Sequence, residues 1–268
     1  MKNEEYLKSK RFVCPPNYDI IHPCKMLILG DTMENFFDQA EFADNPEPRC
    51  PVLLLLDTSH SMHGAPINQL NESLQEFASA IKRDTLASLR VEVAIVTFGG
   101  SVRALDVRGS GHQIPFEADQ AFVTVDMFEP PNLVVSGNTP MGGAIRQALY
   151  LLRERKEIYK QNSLDYFRPW IFLITDGEPT DDWQAAAQEL KDEEARKGVL
   201  FFGIGVEVAN MEILSSFSDQ RPPLKLRGLA FGELFEWLSK SLSSVAHSKP
   251  GEQTPLPAVG WAQVDTSH

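Results

Sequence analysis

The sequence predicts an α/β protein of three layers, with a doubly wound, mostly parallel central sheet and one antiparallel edge strand. Long apolar runs, typical of strands covered on both faces, make up the segments 51–57, 168–176 and 198–206. Segments with apolar residues at helical spacing alternate with them, at 66–83, 142–160 and 181–197. The run 90–100 ends on two glycines and continues at once into 101–109, which predicts a hairpin and therefore the antiparallel edge strand.

The rest of the chain completes this pattern less regularly. A short helix is predicted near 210–217, a further edge strand at 223–228 and a last amphipathic helix at 230–246. Segment 110–138 is the least regular part and lies beside the predicted site, so it is a candidate specificity surface. Thr180 is expected to cap the helix over 181–197.

These elements predict one domain over residues 50–246, preceded by an extension over 1–49 and followed by a disordered tail over 247–268. The acidic segment that begins at Met33 offers an alternative start, in which case residues 1–32 would precede the true N-terminus. The other interpretation is a short extension that packs on the domain.

Composition excludes several functions. The chain has 25 basic and 37 acidic residues, a net charge of −12, which argues against binding to nucleic acid or to an anionic membrane. Three cysteines give no disulfide framework, and no run reaches the ~20 apolar residues of a membrane helix, so we expect a cytoplasmic protein. Cys14, His22 and Cys24 do not match the ligand spacing of a zinc site.

Oxygen-bearing side chains follow two of the apolar strands and precede one helix. Asp57, Ser59 and Ser61 come at the end of the first strand, Thr139 lies just before the helix over 142–160, and Asp176 ends the strand over 168–176. The carboxyl ends of parallel strands meet at one edge of a sheet, where ligands bind. Two carboxylates and three hydroxyls suit a small, hard divalent cation such as Mg²⁺.

Other polar residues nearby are assigned simpler roles. Glu178, Asp181 and Asp182 are interpreted as charges at a helix N-terminus. His60 and His63 are interpreted as exposed loop residues, with the alternative that they flank the ion and make partner binding sensitive to pH.

The five residues resemble the metal-ion-dependent adhesion site of the von Willebrand factor A domain. That motif is D-x-S-x-S, a threonine in a later loop and an aspartate at the end of the fourth core strand, and Asp57, Ser59, Ser61, Thr139 and Asp176 match it in order. The resemblance covers residues 50–246 and implies bound Mg²⁺ or Mn²⁺, with a vacant coordination position for a carboxylate of a partner protein. The segments LLLLDTSHSMHGAPI, NTPMGGAI and TDGEPTDDW are most similar to bacterial TerY-type proteins of tellurite resistance and stress, which implies kinase or phosphatase partners.

The sequence therefore predicts a metal-dependent protein-binding module without catalytic activity. The rival is a metal-dependent hydrolase or phosphatase, which is disfavoured because Ser59 replaces the second acid of haloacid-dehalogenase-like enzymes and no G-x-S-x-G elbow is present. A third possibility is a structural subunit of an assembly that contains an ATPase, in which the ion only rigidifies the loops.

Overall fold

In the computed structural model, which describes Phe42 and residues 44–263, a single sheet forms the centre of the molecule. Within that part of the chain it has nine strands: β1 (Cys50–Asp57), β2 (Val91–Gly99), β3 (Ser101–Leu105), β4 (Gln113–Ile114), β5 (Val123–Thr124), β6 (Trp170–Thr175), β7 (Leu200–Gly205), β8 (Leu224–Leu226) and β9 (Ala262–Gln263). The expectations for the start site and for Cys14, His22 and Cys24 lie outside the described residues.

The strand order is β4-β3-β2-β1-β6-β7-β8-β9, with β5 paired to β2. Strands β2, β1, β6, β7 and β8 are parallel, and β3 turns back antiparallel to β2, which confirms the predicted fold class. The sheet also has the short antiparallel strands β4, β5 and β9, which the sequence did not predict. Strand β1 has β2 on one side and β6 on the other, so the strand order reverses there and opens a crevice at the carboxyl ends of β1 and β6.

Helices cover both faces of the sheet. They are α1 (Ala65–Ile81), α2 (Thr85–Arg90), α3 (Ala118–Ala121), α4 (Met141–Gln161), α5 (Gln184–Ala195), α6 (Met211–Ser215) and α7 (Phe231–Ala246). Along β1, Leu54 and Leu56 share a buried cluster with α1 and α7, whereas Leu53 and Leu55 share one with α4 and α5. Because the side chains of a strand alternate between faces, an unbroken leucine run is buried on both.

A buried ion cluster ties the start of the domain to the sheet. Glu92 on β2 accepts from Arg49 Nε at 2.9 Å and from Arg155 Nε at 2.8 Å, and also from the hydroxyl of Tyr159. Burial pushes the pKa of Glu92 upward, but the Arg155 charge and these hydrogen bonds bring it below its ordinary value. Residues 45–49, which the sequence assigned to the extension, therefore pack on the domain.

Residues 247–263 were expected to belong to a disordered tail, whereas the structure packs this segment on the domain. Strand β9 pairs with β8, Trp261 is buried at 1% exposure, and Trp237 Nε1 donates to the carbonyl oxygen of Pro257 at 2.8 Å. The ring of Trp261 lies edge-on to Trp237, with centroids 5.8 Å apart. A polar, proline-rich segment is thus held in place by strand pairing, by this hydrogen bond and by the buried ring of Trp261, whereas residues 264–268 lie outside the described part.

Candidate metal centre

Parallel pairing brings two carboxylates to the same edge of the sheet. Asp57 is the last residue of β1, and Asp176 directly follows β6. These strands are neighbours in parallel register, with Leu56 level with Ile174. Asp57 and Asp176 therefore border the crevice where the strand order reverses.

Hydrogen bonds connect the loop after β1, which carries Ser59 and Ser61, to Asp176 in the loop after β6. Ser59 N donates to Asp57 Oδ1 at 2.7 Å, which turns the chain sharply after β1. The hydroxyls of Ser59 and Ser61 are 2.9 Å apart, and Ser61 Oγ donates to Asp176 Oδ1 at 2.7 Å. The D-x-S-x-S segment thus places both serine hydroxyls between the two strand ends.

Gly177 shows that the loop before α4, which carries Thr139, reaches the same place. A methyl group at its Cα would lie 3.2 Å from Thr139 Oγ1 and 3.5 Å from both Asp57 Oδ2 and Ser61 Oγ. Oxygens from the loop after β1 and from the loop before α4 therefore border the space beside Gly177, and Ser61 connects them to Asp176 in the loop after β6. The structure brings all five predicted site residues together.

The position of Thr139 is set by the loop that follows β6. Thr180 N donates to the carbonyl oxygen of Thr139 at 2.9 Å, and Thr139 N donates to Thr180 Oγ1 at 3.1 Å. Asp181 accepts from Gly142 N at 2.9 Å and from Gly143 N at 2.7 Å, at the first turn of α4. Asp181 thus serves a helix N-terminus, but that of α4 and not of the helix that follows it in sequence.

The prediction that Thr180 caps the helix over 181–197 is wrong. Helix α5 begins at Gln184, with Trp183 as its N-cap residue. Thr180 instead exchanges hydrogen bonds with Thr139, because the close approach of the two loops offers it a partner outside its own segment. That approach requires Gly142, where a Cβ would lie 2.7 Å from the carbonyl oxygen of Asp182.

The centre is a buried site of negative charge. Burial raises the pKa of Asp57 to about 6, against the hydrogen bonds from Thr175 and Ser59, and the nearby Asp176 adds to the rise. Burial also raises the pKa of Asp176, against its bond from Ser61, and the charge of Glu207 acts in the same direction. Neither carboxylate forms an ion pair with a basic side chain in the part of the chain that the structure describes.

The donor set fits a hard divalent cation. Two carboxylates that lack a counter-cation lie beside three hydroxyl oxygens, which are ligands that Mg²⁺ and Mn²⁺ accept. Across the described residues, no three His, Cys, Asp or Glu side chains gather as a metal site, so the hydroxyls would have to complete the ligand set. The side chains of His60 and His63 are exposed, in agreement with their interpretation as loop residues.

Sequence reasoning missed two residues of the centre. Thr175 is fully buried, and its hydroxyl donates to Asp57 Oδ2 at 2.5 Å and accepts from Gly177 N at 3.1 Å. Gly177 leaves the space that three of the candidate ligand oxygens border. The available signals were a lone hydroxyl in the apolar strand WIFLIT and a glycine directly after the strand-end aspartate.

An open parallel sheet with an oxygen-lined crevice at a reversal of strand order defines the class: an α/β binding domain with a candidate cation site. The chain belongs to the von Willebrand factor type A domain family, whose family model matches residues 52–224. This confirms the family resemblance at the level of the domain. A comparison with curated protein sequences finds no match.

Solved structures share the fold at low sequence identity. A von Willebrand factor type A protein from Catenulispora acidiphila has a TM-score of 0.52 at 16% identity, over 74% of this chain and 43% of that one. The pilus adhesin SpaC from Lactobacillus rhamnosus GG, in its open conformation, has a TM-score of 0.54 at 12% identity, over 75% of this chain and 31% of that one. The PilB minor pilin from Streptococcus sanguinis has a TM-score of 0.51 at 14% identity, over 74% of this chain and 62% of that one. This chain therefore spans less than two thirds of each, and the likeness concerns the fold alone.

No helix in the described part of the chain is both long and apolar enough to cross a membrane.

Proposed function

We propose that this protein is a Mg²⁺-dependent protein-interaction module. In this proposal Asp57, Ser59, Ser61, Thr139 and Asp176 hold the ion, and a carboxylate of the partner binds to it. Mn²⁺ would suit the same oxygens.

The observation that carries the proposal is the convergence of oxygens from three loops, through the space beside Gly177 and the hydrogen bonds of Ser61 with Ser59 and Asp176. Two buried carboxylates in that cluster have no basic partner, so a cation would relieve an electrostatic penalty that the protein otherwise bears. Membership in the von Willebrand factor type A family adds the general expectation of protein interaction.

Each residue has a distinct part in this function. Asp57 and Asp176 supply negative charge, and their hydrogen bonds from Thr175 and Ser61 orient the carboxylates. The ion would act as a Lewis acid that accepts a partner carboxylate. The hydroxyls supply neutral oxygens, so the protein ligands carry two negative charges that balance the ion, and a coordination position would remain for the partner carboxylate.

The cellular setting we propose is a cytoplasmic stress or tellurite-resistance system in bacteria, with a kinase, phosphatase or ATPase as partner. It is supported by the similarity of the segments around Asp57, Thr139 and Asp176 to TerY-type proteins. A structural role in an ATPase assembly differs in one measurable respect, since Mg²⁺ would then change thermal stability without changing affinity for the partner.

We propose no catalytic role. Ser59 stands where a haloacid-dehalogenase-like enzyme needs its second acid. In the described residues, neither Ser59 nor Ser61 has a histidine as hydrogen-bond partner, so neither has the general base of a serine hydrolase. Turnover of generic phosphatase or ester substrates would contradict this proposal.

The test is calorimetric titration of Mg²⁺ and Mn²⁺ into the metal-free chain and its variants. The wild type should bind one ion, and Asp57→Ala should abolish binding because it removes a charged ligand. Asp219→Ala is the matched control, since Asp219 is a surface aspartate paired with Lys191. Absence of ion uptake by the wild type, or equal uptake by Asp57→Ala, would overturn the proposal.

A further inference from the structure

A cavity of about 190 Å³ opens next to the loop 57–61, called the metal-binding loop below, and nothing in the candidate metal centre uses it. The β2–β3 hairpin bounds one side and segment 132–136 the other. Its lining includes Thr58, Thr97, Arg103, Leu105, Val134 and Ser136. Thr58, which lies between Asp57 and Ser59 in the chain, places the cavity beside the loop that carries three of the candidate ligands.

The wall formed by segment 132–136 is fixed to the rest of the domain. Asn71 on α1 donates from Nδ2 to the carbonyl oxygen of Leu133 at 3.0 Å and accepts from Leu133 N at 2.7 Å. Ser136 N donates to the carbonyl oxygen of Thr58 at 2.7 Å, so this wall is bonded directly to the metal-binding loop. A ligand would therefore meet a pre-organised surface, which lowers the entropic cost of binding.

Arg103 supplies a cation at this cavity. It lies opposite Thr97 in the β2–β3 pair, and its Nε donates to Ser101 Oγ at 2.9 Å. Within the described residues Arg103 forms no ion pair, so both of its terminal nitrogens remain available to a ligand. In a chain with a net charge of −12, such an arginine beside a predicted carboxylate-binding centre favours a negatively charged ligand.

The same cavity has an apolar side. Val134 is 73% exposed, although its neighbour Leu133 is buried and fixed by Asn71. Leu105 on β3 also lines the cavity. An exposed valine on a fixed backbone can cover the methylene groups of a side chain whose charged end reaches Arg103.

We infer that this cavity is a second partner subsite, in which Arg103 binds a second acidic side chain of the segment whose carboxylate reaches the ion. The inference rests on the proposed function and names the partner chemistry: a segment with two acidic residues. The ion would give affinity for the first acid, and Arg103 would select segments that carry the second.

The test uses random peptides displayed on phage, bound to the full chain in Mg²⁺ and released by EDTA, so that only ion-dependent binders are recovered. One recovered peptide is then synthesised with a fluorophore, together with variants in which one acid at a time is replaced by its amide. Fluorescence anisotropy gives Kd for the wild type, Arg103→Ala and Arg153→Ala. Arg153 is the matched control, a half-exposed arginine on α4 that pairs with Glu193.

We expect the wild type to select peptides with two acids. Replacing the second acid should raise Kd about fivefold to tenfold for the wild type and Arg153→Ala, and less than about twofold for Arg103→Ala. Selection with Arg103→Glu should favour Lys or Arg at the second position, because the charge of the subsite is reversed.

Two outcomes would overturn the inference, and they are distinguishable. Ion-dependent peptides with a single acid, or equal effects of the second acid on wild type and Arg103→Ala, would remove the subsite and leave the proposed function intact. Failure to recover any EDTA-released peptide, together with no Mg²⁺ uptake by calorimetry, would remove both.

Discussion

Replacing Asp57 by asparagine should make the metal-free protein more stable while it abolishes binding of Mg²⁺. The Asp57 carboxylate is fully buried and has no basic partner in the described residues, so its negative charge is costly until a cation binds. Asparagine has nearly the same shape but no charge. Such opposite effects on stability and binding are characteristic of functional residues.

The magnitude follows from the pKa of Asp57, which burial raises from an ordinary 3.8 to about 6. At about 1.4 kcal/mol per pH unit, the charged form costs roughly 3 kcal/mol in the folded state. The hydrogen bonds from Ser59 N–H and the Thr175 hydroxyl favour the carboxylate, and the pKa of about 6 already includes their effect, so their loss in asparagine is not subtracted again. The expected gain is therefore about 3 kcal/mol, equivalent to a rise in Tm of about 8 °C.

The pH dependence has a definite sign. Because the folded-state pKa of Asp57 is raised, the folded protein binds the proton more tightly than the unfolded chain does. The stabilisation that comes from this proton on Asp57 is therefore fully present below the unfolded-state pKa of 3.8, and it is lost as pH rises through the folded-state pKa of about 6. The advantage of asparagine should be complete at about pH 8 and should disappear toward about pH 4.

The assay is thermal and urea unfolding of wild type and Asp57→Asn in EDTA, at several values of pH, and then in millimolar Mg²⁺. Mg²⁺ should raise the Tm of the wild type and leave that of the variant unchanged. Asp219→Asn is the control for loss of a surface charge. The reasoning is refuted if Asp57→Asn is less stable than the wild type at about pH 8 in EDTA, or if its advantage is the same at low pH.

Three further predictions concern other parts of the molecule. Gly177→Ala should weaken Mg²⁺ binding at least about tenfold in calorimetry, because the methyl group of alanine would lie 3.2–3.5 Å from three of the proposed ligand oxygens. The stability of the metal-free protein should change little, and unchanged affinity for Mg²⁺ would contradict the placement of the site. Glu92→Gln should lower the free energy of unfolding by about 3–5 kcal/mol in urea, because Arg49 and Arg155 remain buried without their carboxylate. Because the folded-state pKa of Glu92 is lowered, Glu92 stabilises the wild type at pH values above its unfolded pKa, and this stabilisation is lost as pH falls through the folded pKa. Trp261→Ala should cost about 3–5 kcal/mol, whereas a disordered tail would show no change in Tm.

The main helices and strands were predictable because burial leaves a periodic record in the sequence. Strand β1 is covered on both faces and reads as an unbroken apolar run, and α1 buries one face at helical spacing. Short elements leave no such record. Strand β9 has two residues, and helix α2 depends on Asp84, which accepts from Leu86 N and Ala87 N at 3.1 Å.

The candidate site was predictable in its members but not in its supports. Asp57 and Asp176 are conspicuous because each is a carboxylate at the end of an apolar run. Thr180 was misassigned because its partner, Thr139, is 41 residues away and is brought near only by folding. Arg103 drew no attention because an exposed arginine in an edge strand is ordinary until a cavity is found beside it.

The amino-acid sequence by itself determined the α/β class, the alternation of strands and helices, and the five oxygen-bearing residues at strand ends and before a helix. Those features depend on local periodicity and on residue type, which short segments carry unaided. The tertiary structure alone decided that the five residues meet at one edge of the sheet, that Trp261 packs the tail on the domain, and that Arg103 borders a cavity next to the loop 57–61. Contacts between residues far apart in the chain depend on strand order and loop packing, which no local pattern encodes.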